Sequence, residues 1–436
     1  MLKSITLPGS VEVGQRLRNA FGNRLFIQLD GTGWGNNLTR CLAVAPTHQI
    51  EIAPEQSTDV WQLWRSGLIS QESQIEDNGA LEGPSPGWFG YLGYEAGRPL
   101  LTPYFYKLPV AAIGFFPCVV LERAHEIEVR YLESHQALAQ QISDVICNNA
   151  PIEPAFFDVT STFCADIPLV KYQQEFSRIV DYIHAGDTYQ VNYAQRFSAN
   201  FTGDPYPGYC AVQETIASPY AGFVGHRDGC VLSFSPEQFL SLNERNIHTT
   251  PIKGTRPRLA DADQNALAVA ELQSSIKDQA ENLMIVDLLR NDLSRVSEIG
   301  SVAVPSLFKV ESFAHVHHLV STVTARLRSN MDAIDLIQAC FPGGSITGAP
   351  KRRACEIIAE VESQARAAYC GSLFFVDVTG KMQSNILIRT LVANEGKLYC
   401  WGGGGIVADS MVQSEYDETL HKVGKLMKLF EQLKRR

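Results

Sequence analysis

The sequence has no Cys-x-x-Cys pair; its 10 cysteines stand singly between Cys41 and Cys400. That scatter fits reduced thiols and leaves neither a disulfide framework nor a zinc site as the basis of the fold. No run approaches the ~20 apolar residues that a bilayer-spanning helix needs. The first residues, Met1-Leu2-Lys3-Ser4-Ile5-Thr6-Leu7-Pro8, lack the apolar core of a secretory signal. A cytoplasmic protein with no membrane partner is the expectation. Positive charge is also scarce: the formal net charge is -10 and the pI is near 5.5. A nucleic-acid partner is therefore not expected, because it requires a clustered positive field. The basic run at 422–436 reads as the end of an amphipathic helix whose cations favour its own C-terminal dipole. Internal repeats, heptads and low-complexity tracts are absent too, which removes solenoids and coiled coils.

What is present is a chain of 436 residues, 45% apolar and 19% charged, enough for a substantial core. Residues 1–154 read as a β-rich subdomain of short strands, among them 24–29, closed by the turn residues 30–33, and the aromatic stretch 87–94. A linker is expected over 148–166, and 155–436 forms the second region. There the spacing predicts a helix over 172–185, a strand over 188–196, one long helix over 265–289 and a last helix through Glu415. Short strands and long helices without strict alternation indicate an α+β fold with large antiparallel sheets.

Several segments break their own local pattern. Lys253 interrupts an otherwise β-branched, apolar run ending in a sharp turn; on an exposed edge strand such a lysine blocks pairing between molecules. Asp278 and Glu281 are spaced i, i+3, and Glu415, Glu418, Lys422 and Lys425 form one stripe, as solvated helix faces also do. Facing each other in a cleft, two carboxylate pairs would need a divalent cation between them, and hard oxygen ligands suit magnesium. Segments 230–240 and 247–253 flank a turn at 243–246 and form a hairpin. A three-residue loop pairing Leu242 with Asn246 sets Glu237 and Lys253 on one face; a two-residue loop separates them unless a bulge near Pro236 or Pro251 intervenes. Thr347 precedes a helix and reads first as its N-cap. His315, His317 and His318 lie on one strand whose alternation divides them between faces, so no zinc site is expected.

Five motifs come in a fixed order: Ser235-Pro236-Glu237, Pro251-Ile252-Lys253-Gly254-Thr255, the run from Glu281 to Leu288, the run from Gly343 to Lys351, and the run from Gly402 to Ser410. Together they resemble the chorismate-utilising enzymes from about Leu169 to the last helix. The resemblance implies two large, mostly antiparallel sheets packed face to face with helices outside. The lysine of Pro-Ile-Lys-Gly-Thr resembles the branch that aminates chorismate at C4 on the way to 4-aminobenzoate and folate, where anthranilate-forming members carry alanine. On that resemblance Lys253 is the nucleophile and Glu237 the general acid. Glu281 and Glu418 are magnesium ligands, with Asp278 and Glu415 direct or through water.

Chorismate is a dicarboxylate, so cationic and N–H donors must hold it. Arg389, Tyr369, Lys422 and the amides of Gly403, Gly404 and Gly405 are the candidates, the glycine run being either an anion nest or a close-packed turn. Thr347 and His318 join them by resemblance. Gln190 stands where water-adding members carry a lysine base, which disfavours isochorismate and salicylate chemistry. The strand comparable to the tryptophan feedback site of anthranilate synthases reads Phe26-Ile27-Gln28-Leu29-Asp30 and does not match, so tryptophan inhibition is not expected. No cysteine-centred glutaminase motif occurs, and the resemblance implies that ammonia comes from a separate glutamine amidotransferase subunit. Two alternatives remain: the anthranilate-forming reaction, and a catalytically silent chorismate-binding regulatory subunit.

Overall fold

The computed structural model describes residues 1–9, 12–69, 82–148, 150–153, 155–312 and 316–433. Within them all assigned strand pairs are antiparallel and fall into a 13-stranded and a 10-stranded sheet. The first runs from Leu2–Pro8 through Phe26–Asp30, Tyr220–His226, Gly229–Ser235, Thr390–Asn394 and Lys397–Ile406 to Gln190–Gly203. The second includes Ile252–Pro257, Val316–Arg326, Asn246–Thr249, Gln238–Asn243, Met382–Asn385, Ser372–Asp377 and Gly87–Leu92. Both sheets take strands from either side of residue 154, so the step in the sequence there is no boundary between sheets.

One core joins the two sheets. Ile27, Val224 and Val392 of the first share it with Phe89, Leu373 and Phe375 of the second, and a Cβ on Gly222 would stand 2.3 Å from Leu373 Cδ2. A second core, with Phe26, Phe223 and Leu232, lies on the other face of the larger sheet under helices including Pro205–Ile216 and Val412–Glu431. The expected α+β architecture, two antiparallel sheets face to face with helices outside, is what forms. No helix among the described residues is long and apolar enough to cross a membrane.

Local expectations fared unevenly. The helix expected over 172–185 spans Leu169–His184, and the strand expected over 188–196 runs on as Gln190–Gly203. The single helix expected over 265–289 is two, Ala262–Ser274 and Ile276–Ser294. Ser275 breaks it by capping the second, its side chain accepting from the Asp278 N–H at 3.3 Å. The supposed linker contributes two short strands, Phe157–Val159 and Cys164–Ala165, which pair along Gln190–Gly203.

The hairpin needs the largest correction. Asn243 pairs with Asn246, so its loop has two residues, not three. Nor is 230–240 one strand: Gly229–Ser235 belongs to the larger sheet and Gln238–Asn243 to the smaller, and the chain changes sheets at Pro236-Glu237. Proline, with no N–H to give a ladder, suits such a corner.

Candidate active site

Three breaks in regular pairing converge on one cavity of about 570 Å3 between the two sheets and the helices Ile276–Ser294 and Val412–Glu431. The first is the corner carrying Glu237. The second lies beside it, where the chain returns from Met382–Asn385 to Thr390–Asn394 and Arg389 takes φ 50°. The two corners are tied together, Ser235 Oγ donating to Ile386 O at 2.6 Å and Ile386 N–H to Glu237 O at 3.1 Å. A positive φ at a non-glycine residue is strain that the surroundings must hold, and it is commonest at functional sites. The third break is at Gly254. Lys253 pairs with Leu319 but Thr255 with His318, a bulge with Gly254 at φ 77°. A Cβ there would meet Asp278 and Leu272 at 2.9 Å, so the bulge also lets the acid helix approach. Glu237 and Lys253 thus share the cavity despite the two-residue hairpin loop, because Pro236 and Pro251 both lie where pairing lapses.

The electrostatics of this pair run towards each other. Burial raises the Glu237 carboxyl above its usual range, with Lys253 opposing. Desolvation lowers the Lys253 amine, with Glu281 opposing and Lys422 adding to the shift. Lys253 keeps some accessible surface, but it lines the cavity, where its amine donates to Ser345 O at 3.3 Å. Both shifts run towards a neutral amine and a protonated acid, the forms a nucleophile and a proton donor need.

Four carboxylates, Asp278, Glu281, Glu415 and Glu418, line the same cavity. Burial raises Glu281 and Glu415, each with a further rise from Glu418. For Glu418 burial acts in the same direction, but Lys422, 2.5 Å away, together with Lys253 and Lys277 more than offsets it and the carboxyl sits below its ordinary value. Asp278 bonds Arg256 at 3.2 Å and Glu281 faces Lys277 at 4.0 Å. No group of three or more such side chains among the described residues is gathered closely enough to hold a metal as it stands. The donor chemistry nevertheless fits a hard cation: all four are carboxylates, and Glu415 Oε2 is buried without a hydrogen-bond partner.

The candidate substrate residues divide. Arg389, Tyr369, His318, Lys422, Gly403 and Gly405 line the cavity; Thr347 and Gly404 do not. The Arg389 guanidinium makes no hydrogen bond or ion pair with any described residue; burial pulls its pKa down and Glu237 resists. Tyr369 is stacked on Trp401 at 5.9 Å and 5°. His318 is lowered to about 4 by burial and by Arg389, so its ring is neutral, with Nδ1 2.9 Å from Thr255 Oγ1. His317 turns to the other face, against Ser312 and Asn265, and His315 lies outside the described residues.

Two readings are corrected. Thr347 is no helix cap: the helix begins at Lys351 with Pro350 at its N-cap, and the buried Thr347 hydroxyl donates to Gly343 O at 3.0 Å. The glycine run is no anion nest but part of the strand Lys397–Ile406, paired with Gln190–Gly203 and without positive φ. Its glycines allow close approach. A Cβ on Gly404 would stand 2.9 Å from Glu415 Oε2, and one on Gly405 would stand 1.9 Å from Gln190 Nε2.

Sequence reasoning missed Asn192, Trp401, Ser345 and His421, all in the cavity lining. Asn192 was legible in principle, two residues after Gln190 on the same strand face. It also missed Arg366, a fully buried guanidinium that bonds Glu362 and donates to Ile346 O at 2.9 Å and Asn192 O at 2.7 Å. Arg366 thereby anchors two cavity-lining segments from behind.

A pocket that holds an amine, an acid and four carboxylates under a pair of antiparallel sheets defines an enzyme for a small, multiply charged organic acid. The chain belongs to the chorismate-binding enzyme family, whose model matches residues 25–428. It is 47% identical over 346 residues to aminodeoxychorismate synthase component 1 of Klebsiella aerogenes, covering 78% of this chain and 76% of that one. It is 42% identical over 350 residues to the protein of the same name from Escherichia coli (strain K12), covering 79% and 77%. Among solved structures, anthranilate synthase component I from Streptococcus pneumoniae TIGR4 superposes with a TM-score of 0.77 at 27% identity, covering 89% of this chain and 91% of that one.

Proposed function

We propose that this enzyme aminates chorismate at C4 with ammonia, giving 4-amino-4-deoxychorismate by way of a covalent Lys253 intermediate. The observation that carries the proposal is that the Lys253 amine and the buried Glu237 carboxyl line one cavity, where burial pushes the amine towards neutrality and the acid towards its protonated form. The Lys253 lone pair forms a bond to C2 of the ring, the diene electrons shift, and the C4–O bond breaks as Glu237 gives its proton to the leaving hydroxyl, which departs as water. Ammonia then bonds to C4, the electrons shift back, and the C2–N bond breaks to free Lys253. Two displacements at one carbon frame leave the configuration at C4 retained.

The remaining residues hold the ring. Arg389 and Lys422 are the cations for one carboxylate, with Tyr369 walling the pocket. Glu281 and Glu418, with Asp278 and Glu415, would hold magnesium, which supplies positive charge for the other carboxylate. His318, neutral, offers a hydrogen bond without adding charge. The matched relatives are named as component 1, which supports a second component; the absence of a glutaminase motif in this chain makes a glutamine amidotransferase its natural identity. The acidic surface charge fits a protein of the cytoplasm that binds neither nucleic acid nor membrane.

Incubation with chorismate, ammonium and magnesium tests the proposal. Production of 4-aminobenzoate only after a lyase is added supports it. Direct anthranilate fluorescence would favour ammonia attack at C2, and no turnover would favour a silent binding subunit. Mass spectrometry of the enzyme after quenching, with ammonia omitted, should find chorismate less water on Lys253.

A further inference from the structure

The strand Gln190–Gly203 is incompletely covered along one edge. Gly348–Ala349 pairs with it at Gln190 and Val191, and Cys164–Ala165 takes over at Phe197 and Ser198. Between them backbone bonds persist at the two ends, Asn192 N–H to Thr347 O at 2.7 Å and Asp166 N–H to Arg196 O at 2.9 Å, and side chains fill the middle. Ala194 N–H donates to Glu362 Oε1 at 2.9 Å, and Asn192 O accepts from Arg366 at 2.7 Å. In this gap lies a second cavity of about 30 Å3, lined by Lys171, Gln195, Glu362, Ser363, Gln364 and Trp401 among others. That is room for a molecule or two of water's size and nothing larger.

Three observations make it more than a packing defect. Lys171 and Ser363 are exposed, so it reaches the surface. Trp401 lines both this cavity and the catalytic one and is their common wall. The Gln195 and Gln364 carbonyl oxygens are buried without a hydrogen-bond partner, two acceptors awaiting a small donor.

We infer that this gap is the entry for ammonia, a small neutral molecule with three N–H donors, which passes Gln364 and Gln195 and enters the catalytic cavity beside Trp401. The inference rests on the amination proposed above, which needs ammonia to reach a pocket that chorismate already occupies. A second opening admits it without displacing the ring and without admitting anything larger.

Two variants test it. Ser363→Trp closes the exposed mouth without touching the core. Gln195→Leu removes one acceptor at nearly constant volume. Each is expected to raise KM for ammonium about tenfold while leaving kcat at saturating ammonium and KM for chorismate unchanged. Unchanged KM for ammonium in both folded variants overturns the passage while the amination itself stands. An equal rise in KM for chorismate also overturns it, since the gap would then be shaping the chorismate site. If the parent enzyme makes no aminated product, the proposed reaction falls and the passage with it.

Discussion

Lys253 and Lys422 line the same cavity and yet are different chemical objects. Lys253 sits behind a bulge between two sheets, and desolvation lowers its pKa. Lys422 sits on the last helix at 45% exposure, paired with Glu418 at 2.5 Å and donating to Gly403 O at 2.9 Å. The difference teaches what makes an amine a nucleophile. Both have acids nearby, but Lys253 is withdrawn from solvent and pushed towards its neutral form, while Lys422, half-exposed and ion-paired on its helix, is placed to hold a carboxylate.

The largest effect expected follows from removing the first. Lys253→Ala should lower the amination rate by about 10³-fold or more while chorismate still binds, as measured by steady-state kinetics and by titration of chorismate. Full activity in that variant, still with the C4 product, would end the covalent role. Next comes the metal that both lysines would neighbour. Chelation should abolish turnover and magnesium restore it, and Glu281→Gln or Glu418→Gln should raise the magnesium needed for half activity by about tenfold or more. Lys422→Ala should act chiefly on binding, with KM for chorismate up about tenfold and the covalent adduct still formed.

The smallest effect is on stability, and its sign separates the two lysines. The folded protein lowers the Lys253 pKa, so between that value and the unfolded value near 10.5 it binds fewer protons than the unfolded chain. The charged amine therefore costs stability at low pH, and the cost fades as pH rises to about 10.5. Lys253→Met should raise Tm by about 2 °C at neutral pH and by less in alkali, in thermal scans across pH. Lys422→Met removes an exposed ion pair and should lower stability by about 0.5 kcal/mol. A Lys253→Met protein that melts below the parent at neutral pH would contradict the desolvated amine.

The acid helices illustrate what could be read in advance. Asp278 and Glu281, and Glu415 and Glu418, follow from helical spacing, which is local and survives any tertiary arrangement. Lys253 stood out because it violates the composition of its own strand. Arg366 did not, since nothing local distinguishes a guanidinium bound for the interior from one on a surface helix; its pairing with Glu362 four residues away is what an exposed helix also shows, and its other partner, Asn192, lies far off in sequence. The hairpin was misjudged for a related reason. Alternation describes a strand that stays in one sheet, and the chain leaves its sheet at Glu237.

By itself the sequence determined the chemistry on offer: an out-of-place lysine, two carboxylate pairs at helical spacing, a family pattern and an acidic, thiol-bearing chain. Those are properties of short segments, set by periodicity and residue type. Only the tertiary structure decided that Glu237, Arg389 and Lys253 meet. Each sits where regular pairing lapses, at a corner or a bulge; proline and glycine permit such lapses, but how the two sheets pack decides that they face one cavity.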